Sequence, residues 1–430
     1  MKKIYFSILL SFSFQLIFSQ QILLDTLDTA YKKELESFYL ERSTHTLAEI
    51  DKIANRKVRS EMKAIFLEKK KDFLKDVQDG KFVYHKEFSK LIDEKFEEIK
   101  RSNPDVNFDT IKILLKLDES INAYNVGEGI VIFNLPMLIN VNDEFEISYI
   151  ICHEIAHQHL NHVAKSLQDN IEKSNSQEII EKTKQIKKTK YNKATLATNE
   201  IKNFVYKNRI FSRANEHQAD SLGFVYFRKT HPEYVHKSIE TLKILKFIDK
   251  EKDSLAKSDY IKIFENTAIN FDENWLEDNI LGSYNYQKNS KIWNIDSLRT
   301  HPDIDVRVQY IKDNFKIEEK EIAQYSKLKY LDLKSDTKYD EIFMLYYLKE
   351  YGKSLYQTMI LLKDDKENGI LKKMMYDNLS KIETYKQQYK LNKCLQTESP
   401  KFSNSYNTFL SFIRNLRKTN FNQILSYYEY

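Results

Sequence analysis

A chain of 430 residues is long enough for two or three cores, and with only 7 glycines and 5 prolines it is poorly suited to a fold of tight hairpins. Its 68 lysines and arginines nearly balance 63 aspartates and glutamates. The resulting net charge of +5 is interspersed rather than clustered, which argues against a nucleic-acid partner; the densest basic run, "KTKQIKKTKYNK", reads as a solvated face.

The chain opens on "MKK", then the apolar run "IYFSILLSFSFQLIF", then "SQQ". A basic start, an apolar segment too short to span comfortably and a small residue for cleavage describe a signal peptide over residues 1–20, cut near Ser19 or Gln20. The rival is an uncleaved anchor. No later run reaches transmembrane length, so the expected mature chain has no transmembrane span and is exported, periplasmic or secreted. Cys152 and Cys394 lack the spacing of a disulfide framework, and Cys152 is expected to fill a helix face.

Residues 24–100 carry Leu, Lys and Glu at helical spacing and predict two or three helices, ending near "SNPDV". "TIKILLKL" reads as a strand and "INAYNVGEGIVIF" as a hairpin turning at Gly127 and Gly129. A helix is predicted from about Glu144 to Lys165, a polar stretch with a solvated helix over 166–200, and a second strong helix from about Lys202 to Phe227. A third follows Pro232. Residues 260–300 are irregular and aromatic, with Trp275 and Trp293. Beyond 320 the chain is helical again, and "YDEIFMLYYLKEYG" and "KSLYQTMILLKDD" read as paired helices without a fixed repeat. The expected division is residues 21–84, an N-terminal helical region; 85–318, the central domain; and 319–430, a C-terminal helical domain.

The chemistry lies in "CHEIAHQHLNH". His153 and His157 are four apart, so a helix places both imidazoles on one face, where they can share a zinc ion. Glu154 borders the same site. Zinc lowers the pKa of bound water from about 15.7 to roughly 7, and a nearby carboxylate can take the proton. At about 100° per residue His159 and His162 point away from that face and read as packing or helix-end residues. The pattern H-E-x-x-H-x-x-G-x-x-H is excluded by Leu160 and Val163, so a third ligand must come from elsewhere. "RANEHQADSLG" offers it: Glu216 and Asp220 share a helix face, Glu216 as third ligand and Asp220 to fix the tautomer of a ligating histidine. His217 is a competing ligand off that face.

Taken in order, "INAYNVGEGIVIFN", "CHEIAHQHLNH", "RANEHQADSLG" and "RTHPDIDVR" resemble the M48 family of zinc metallopeptidases, which includes HtpX-type and exported BepA-like proteins. The likeness covers roughly residues 85–315. It implies an α+β, mostly helical fold: a zincin-like core with two ligand-bearing helices beside a small β-sheet, plus flanking helical regions. It also implies one Zn2+ per chain on His153, His157 and Glu216, Glu154 as general base, and Asn122 and Ala123 on a strand edge that binds the substrate backbone. The "HP…R" segment of the family approaches the active site. His301 is therefore an oxyanion donor, a plug that occupies the open metal position, or a turn histidine, with Arg307 as a charge in the following helix. The expected activity is hydrolysis of unfolded or misassembled envelope proteins, with an assembly partner on the C-terminal helices. The alternative is a chaperone or scaffold whose zinc site is latent or structural.

Overall fold

The computed structural model describes residues 26–246, 254–265, 271–277, 304–317, 327–399 and 402–429. The expected signal segment, His301 and Trp293 lie outside these residues. The described chain is mostly helical around one small mixed sheet, an α+β fold. No described helix is long and apolar enough to cross a membrane.

Helices α1 (Thr29–Asp51), α2 (Arg56–Gln78) and α3 (Lys86–Ser102) begin the chain, with the short strand β1 (Phe82–Val83) between the last two. Strands β2 (Lys112–Lys116), β3 (Ala123–Gly127) and β4 (Ile130–Asn134) complete a sheet of order β1-β2-β4-β3. β2 and β4 are parallel; the other two pairings are antiparallel. The β3–β4 turn falls on Gly127 and Gly129 as the spacing predicts. Gly129 has φ +78°, and a Cβ there would meet the Thr110 carbonyl oxygen, so only glycine fits. The parallel pairing and β1 are not legible locally.

Successive side chains of a strand face opposite ways. Val131 and Phe133 of β4 enter the main core, whereas Ile130 and Ile132 pack with Leu35 and Tyr39 of α1 and Phe73 and Val77 of α2. The sheet is thus buried on both faces, which explains the unbroken apolar run "IVIF".

Three elements position the site on the inner face. After α4 (Leu135–Asn140), helix α5 (Glu144–His159) starts where the Asp143 side chain accepts from the backbone N–H groups of Phe145 and Glu146. Every residue from Phe145 to Ala156 is buried, so α5 is the central helix rather than an amphipathic surface one. It ends earlier than its periodicity predicts. Asn161 takes the left-handed conformation, with φ 55°, and the chain restarts as α6 (His162–Ser174). Helix α7 (Gln177–Lys188) buries no residue, in keeping with the predicted solvated helix and basic face. Helix α8 (Lys193–Thr230) is 38 residues long, starts well before Lys202, and packs along α5. Helices α9 (Lys237–Leu245), α10 (Lys257–Phe264) and α11 (Ile304–Phe315) follow.

The C-terminal residues form α12 (Lys327–Asp336), α13 (Asp340–Tyr347), α14 (Tyr351–Leu362), α15 (Gly369–Gln387), α16 (Asn404–Asn415) and α17 (Lys418–Tyr428). They enclose a core of their own, which draws in Tyr260 and Phe264 of α10 from before residue 318, while Tyr330, Met344 and Leu345 pack into the main core. Buried polar contacts tie the two parts, among them the Tyr330 hydroxyl donating to the Leu138 carbonyl and a hydrogen bond from His85. Nδ1 of His85 accepts from the backbone N–H groups of Glu87 and Phe88, capping α3, so Nε2–H donates to Asp340 Oδ2 at 2.9 Å. Both cysteines are free and buried.

Candidate metal centre

Helices α5 and α8 meet at a glycine. A Cβ at Gly223 would lie 2.9 Å from His153 Cα and 3.1 Å from the carbonyl carbon of Cys152. This close approach, which no larger residue permits without displacing backbone, sets the acidic face of α8 against the histidine face of α5. A glycine inside a strong helical pattern is the one sequence signal that could have marked the crossing.

At that crossing His153, His157 and Glu216 come together, with one donor atom from each lying within 4.8 Å of the others. The two Nε2 atoms face one another at 3.1 Å. Glu216 Oε2 is 3.7 Å from His153 Nε2, and Oε1 is 3.5 Å from His157 Nε2. Ligands at roughly 2.0–2.1 Å in tetrahedral geometry are themselves about 3.3 Å apart, so the set fits a zinc ion. Two imidazole nitrogens aimed at each other also favour a cation or proton between them, because otherwise two lone pairs are opposed.

Asp220, fully buried, stands one turn beyond Glu216, and its Oδ1 is 3.0 Å from His153 Nδ1. Arg307 reaches in from α11 and is 1% exposed. Its Nε and Nη2 donate to Asp220 at 2.7 and 2.5 Å, and Nη1 lies 3.1 Å from Glu216 Oε2. Arg307 is thus no peripheral charge: one guanidinium clamps both acids of α8, a bidentate geometry only arginine supplies.

These contacts set the protonation states. Burial pushes the Asp220 carboxyl up, but Arg307 and then His153 outweigh it and hold it below the usual carboxylate range. Burial, followed by the neighbouring His153, pushes His157 down to about 3, leaving a neutral ring with a lone pair to offer. Burial acts on His153 in the same direction, but its bond to Asp220 prevails and raises it.

Of the remaining candidates, Glu154 is buried beside His153 and faces a narrow cleft that Ala123, Met137, Ile150, Leu242 and Leu245 make apolar. Asn122 and Ala123 border the same cleft, at the start of β3, which forms one edge of the sheet. His159 is turned away as its angle predicts: its ring bonds to the Tyr226 hydroxyl at 2.9 Å and the Asn107 carbonyl at 3.1 Å. His217 packs on the Tyr310 ring and takes no part in the ligand group.

His162 departs from expectation. Its Nδ1 lies 2.9 Å from Nδ1 of His157, and its Nε2 lies 3.0 Å from Gln218 Oε1. One unbroken helix would point this ring away from the site, but the left-handed Asn161 turns it back.

Residues 86–314 match the family model described as peptidase family M48, a span of more than half the chain that contains β2, β3, β4, α5, α8 and all but the last residue of α11. No curated protein and no solved structure matches the chain.

Proposed function

The chain belongs to peptidase family M48, and on that premise we propose that it is an exported zinc endopeptidase acting on unfolded or misassembled envelope proteins. The observation that carries the reading is the convergence of His153, His157 and Glu216 next to Glu154, in a cleft bordered by the edge strand β3. Those three residues would hold zinc, which when bound supplies Lewis acidity and brings the pKa of a water in its reach down to about 7. Glu154 takes the proton from the attacking water and hands it to the leaving nitrogen. The edge of β3 pairs with an extended substrate backbone, which favours chains that are already unfolded. A purely structural metal site has no use for a buried carboxylate facing an open cleft.

Purified protein is expected to hold about one zinc per chain and to degrade an unfolded protein, losing that activity to a chelator and regaining it with added zinc. His153→Ala and Glu216→Ala should lose most of the metal, whereas His159→Ala should keep it. Degradation that persists after complete metal removal would refute the reading. Export rests on "MKK", the apolar run and "SQQ". N-terminal sequencing of the protein from its native host should begin near Gln20 or Gln21; an intact Met1 on cytoplasmic protein would contradict it.

A further inference from the structure

Resting on the reading of His153, His157 and Glu216 as ligands, we propose that His162 is a positioning residue for the metal, its ring fixing the tautomer of His157 while Gln218 fixes the ring of His162. If Nε2 of His157 is to ligate, its Nδ1 carries the hydrogen, and a buried N–H needs an acceptor. Nδ1 of His162 stands 2.9 Å away with its lone pair available for that bond. The hydrogen of His162 must then sit on Nε2, which faces Gln218 Oε1 at 3.0 Å, an atom that can only accept. Each atom has one role, and the donations run in one direction, from the ligand on α5 through the first residue of α6 to the amide oxygen on α8.

The reverse arrangement is unproductive. With the hydrogen of His162 on Nδ1, His157 would have to accept there and carry its own hydrogen on Nε2. That hydrogen would point at His153 Nε2, 3.1 Å away, and occupy the place of the metal. Gln218 biases against this, because its carbonyl oxygen holds the His162 hydrogen at the far end. The two ligating histidines are therefore served differently: His153 by the carboxylate that Arg307 clamps, His157 by a neutral imidazole. The relay also crosses three helices, since Gln218 lies two residues beyond Glu216 on α8. The left-handed backbone at Asn161 makes it possible by returning His162 to the site.

The test is a zinc affinity measured by competition with a chromophoric chelator, together with the visible absorption of the cobalt-loaded protein. His162→Phe keeps a ring but removes the acceptor, and is expected to weaken zinc binding roughly 10–100-fold and to alter the cobalt spectrum. His162→Asn places an oxygen where Nδ1 stood and should recover most of the loss. His159→Phe should leave affinity unchanged. Wild-type affinity in a folded His162→Phe overturns the proposal, as does an Asn variant no better than Phe, which would mean that the ring only packs. Should His162→Phe fail to fold, Gln218→Leu at an exposed position takes its place: weakened binding supports the relay, and unchanged binding with an unchanged cobalt spectrum overturns it. A wild-type protein that binds neither zinc nor cobalt would instead sink the ligand reading beneath it.

Discussion

Glu154→Gln is expected to cut the hydrolysis of an unfolded protein by about 10²–10⁴-fold while zinc stays bound. Glutamine keeps the shape and leaves the proposed ligands His153, His157 and Glu216 untouched, but an amide cannot accept the proton of an attacking water. The residue's place makes the effect large. It is buried on α5 next to a ligand and opens onto the cleft that Ala123 and Leu242 border, so bulk water is poorly placed to act as a substitute base. The measurement pairs metal content with the initial rate of degradation. A zinc-loaded variant working at near the wild-type rate would end the general-base assignment.

Arg307→Met is expected to cost about 3–5 kcal/mol of folding stability, because it strips the bidentate counter-charge from Asp220, which is out of reach of water. Asp220 is 0% exposed and Arg307 1%, so little solvent is at hand to screen the orphaned carboxylate. Methionine fills much of the space, which separates loss of charge from loss of volume. Chemical denaturation in chelator gives the stability free of any metal contribution. The pH dependence has a definite sign. With the Asp220 carboxyl held below its ordinary value in the wild type, the clamp stabilises fully above that ordinary value, about 3.9, and its contribution fades as pH falls through the depressed one. In the variant, burial is opposed by His153 alone, so the same carboxyl rises and acid relieves the buried charge. The gap between the two proteins should therefore narrow as pH drops from neutral toward 3. A loss below about 1 kcal/mol at neutral pH would mean that the clamp is replaceable by packing.

Much of the candidate site is legible in the sequence because helical spacing is local. His153 with His157, and Glu216 with Asp220, are each four apart, and one helical turn places each pair on a common face whatever the rest of the chain does. His159 is turned aside by the same geometry. The projection fails at His162, where one residue, Asn161, leaves right-handed helix and the phase is lost. Among the strands, the β3–β4 turn is announced by Gly127 and Gly129, whereas the parallel pairing of β2 with β4 skips the intervening strand and has no local signature.

Residue type and the rise of one helical turn suffice to single out the candidate side chains and to say which of them share a helix face. The tertiary structure alone decided which face meets which. Gly223 lets α8 approach the backbone of α5, Arg307 reaches Asp220 across 87 residues, and His85 finds Asp340 across 255. Contacts of that range depend on how whole helices pack, and packing is governed by shape and burial summed over many residues, which no short spacing records.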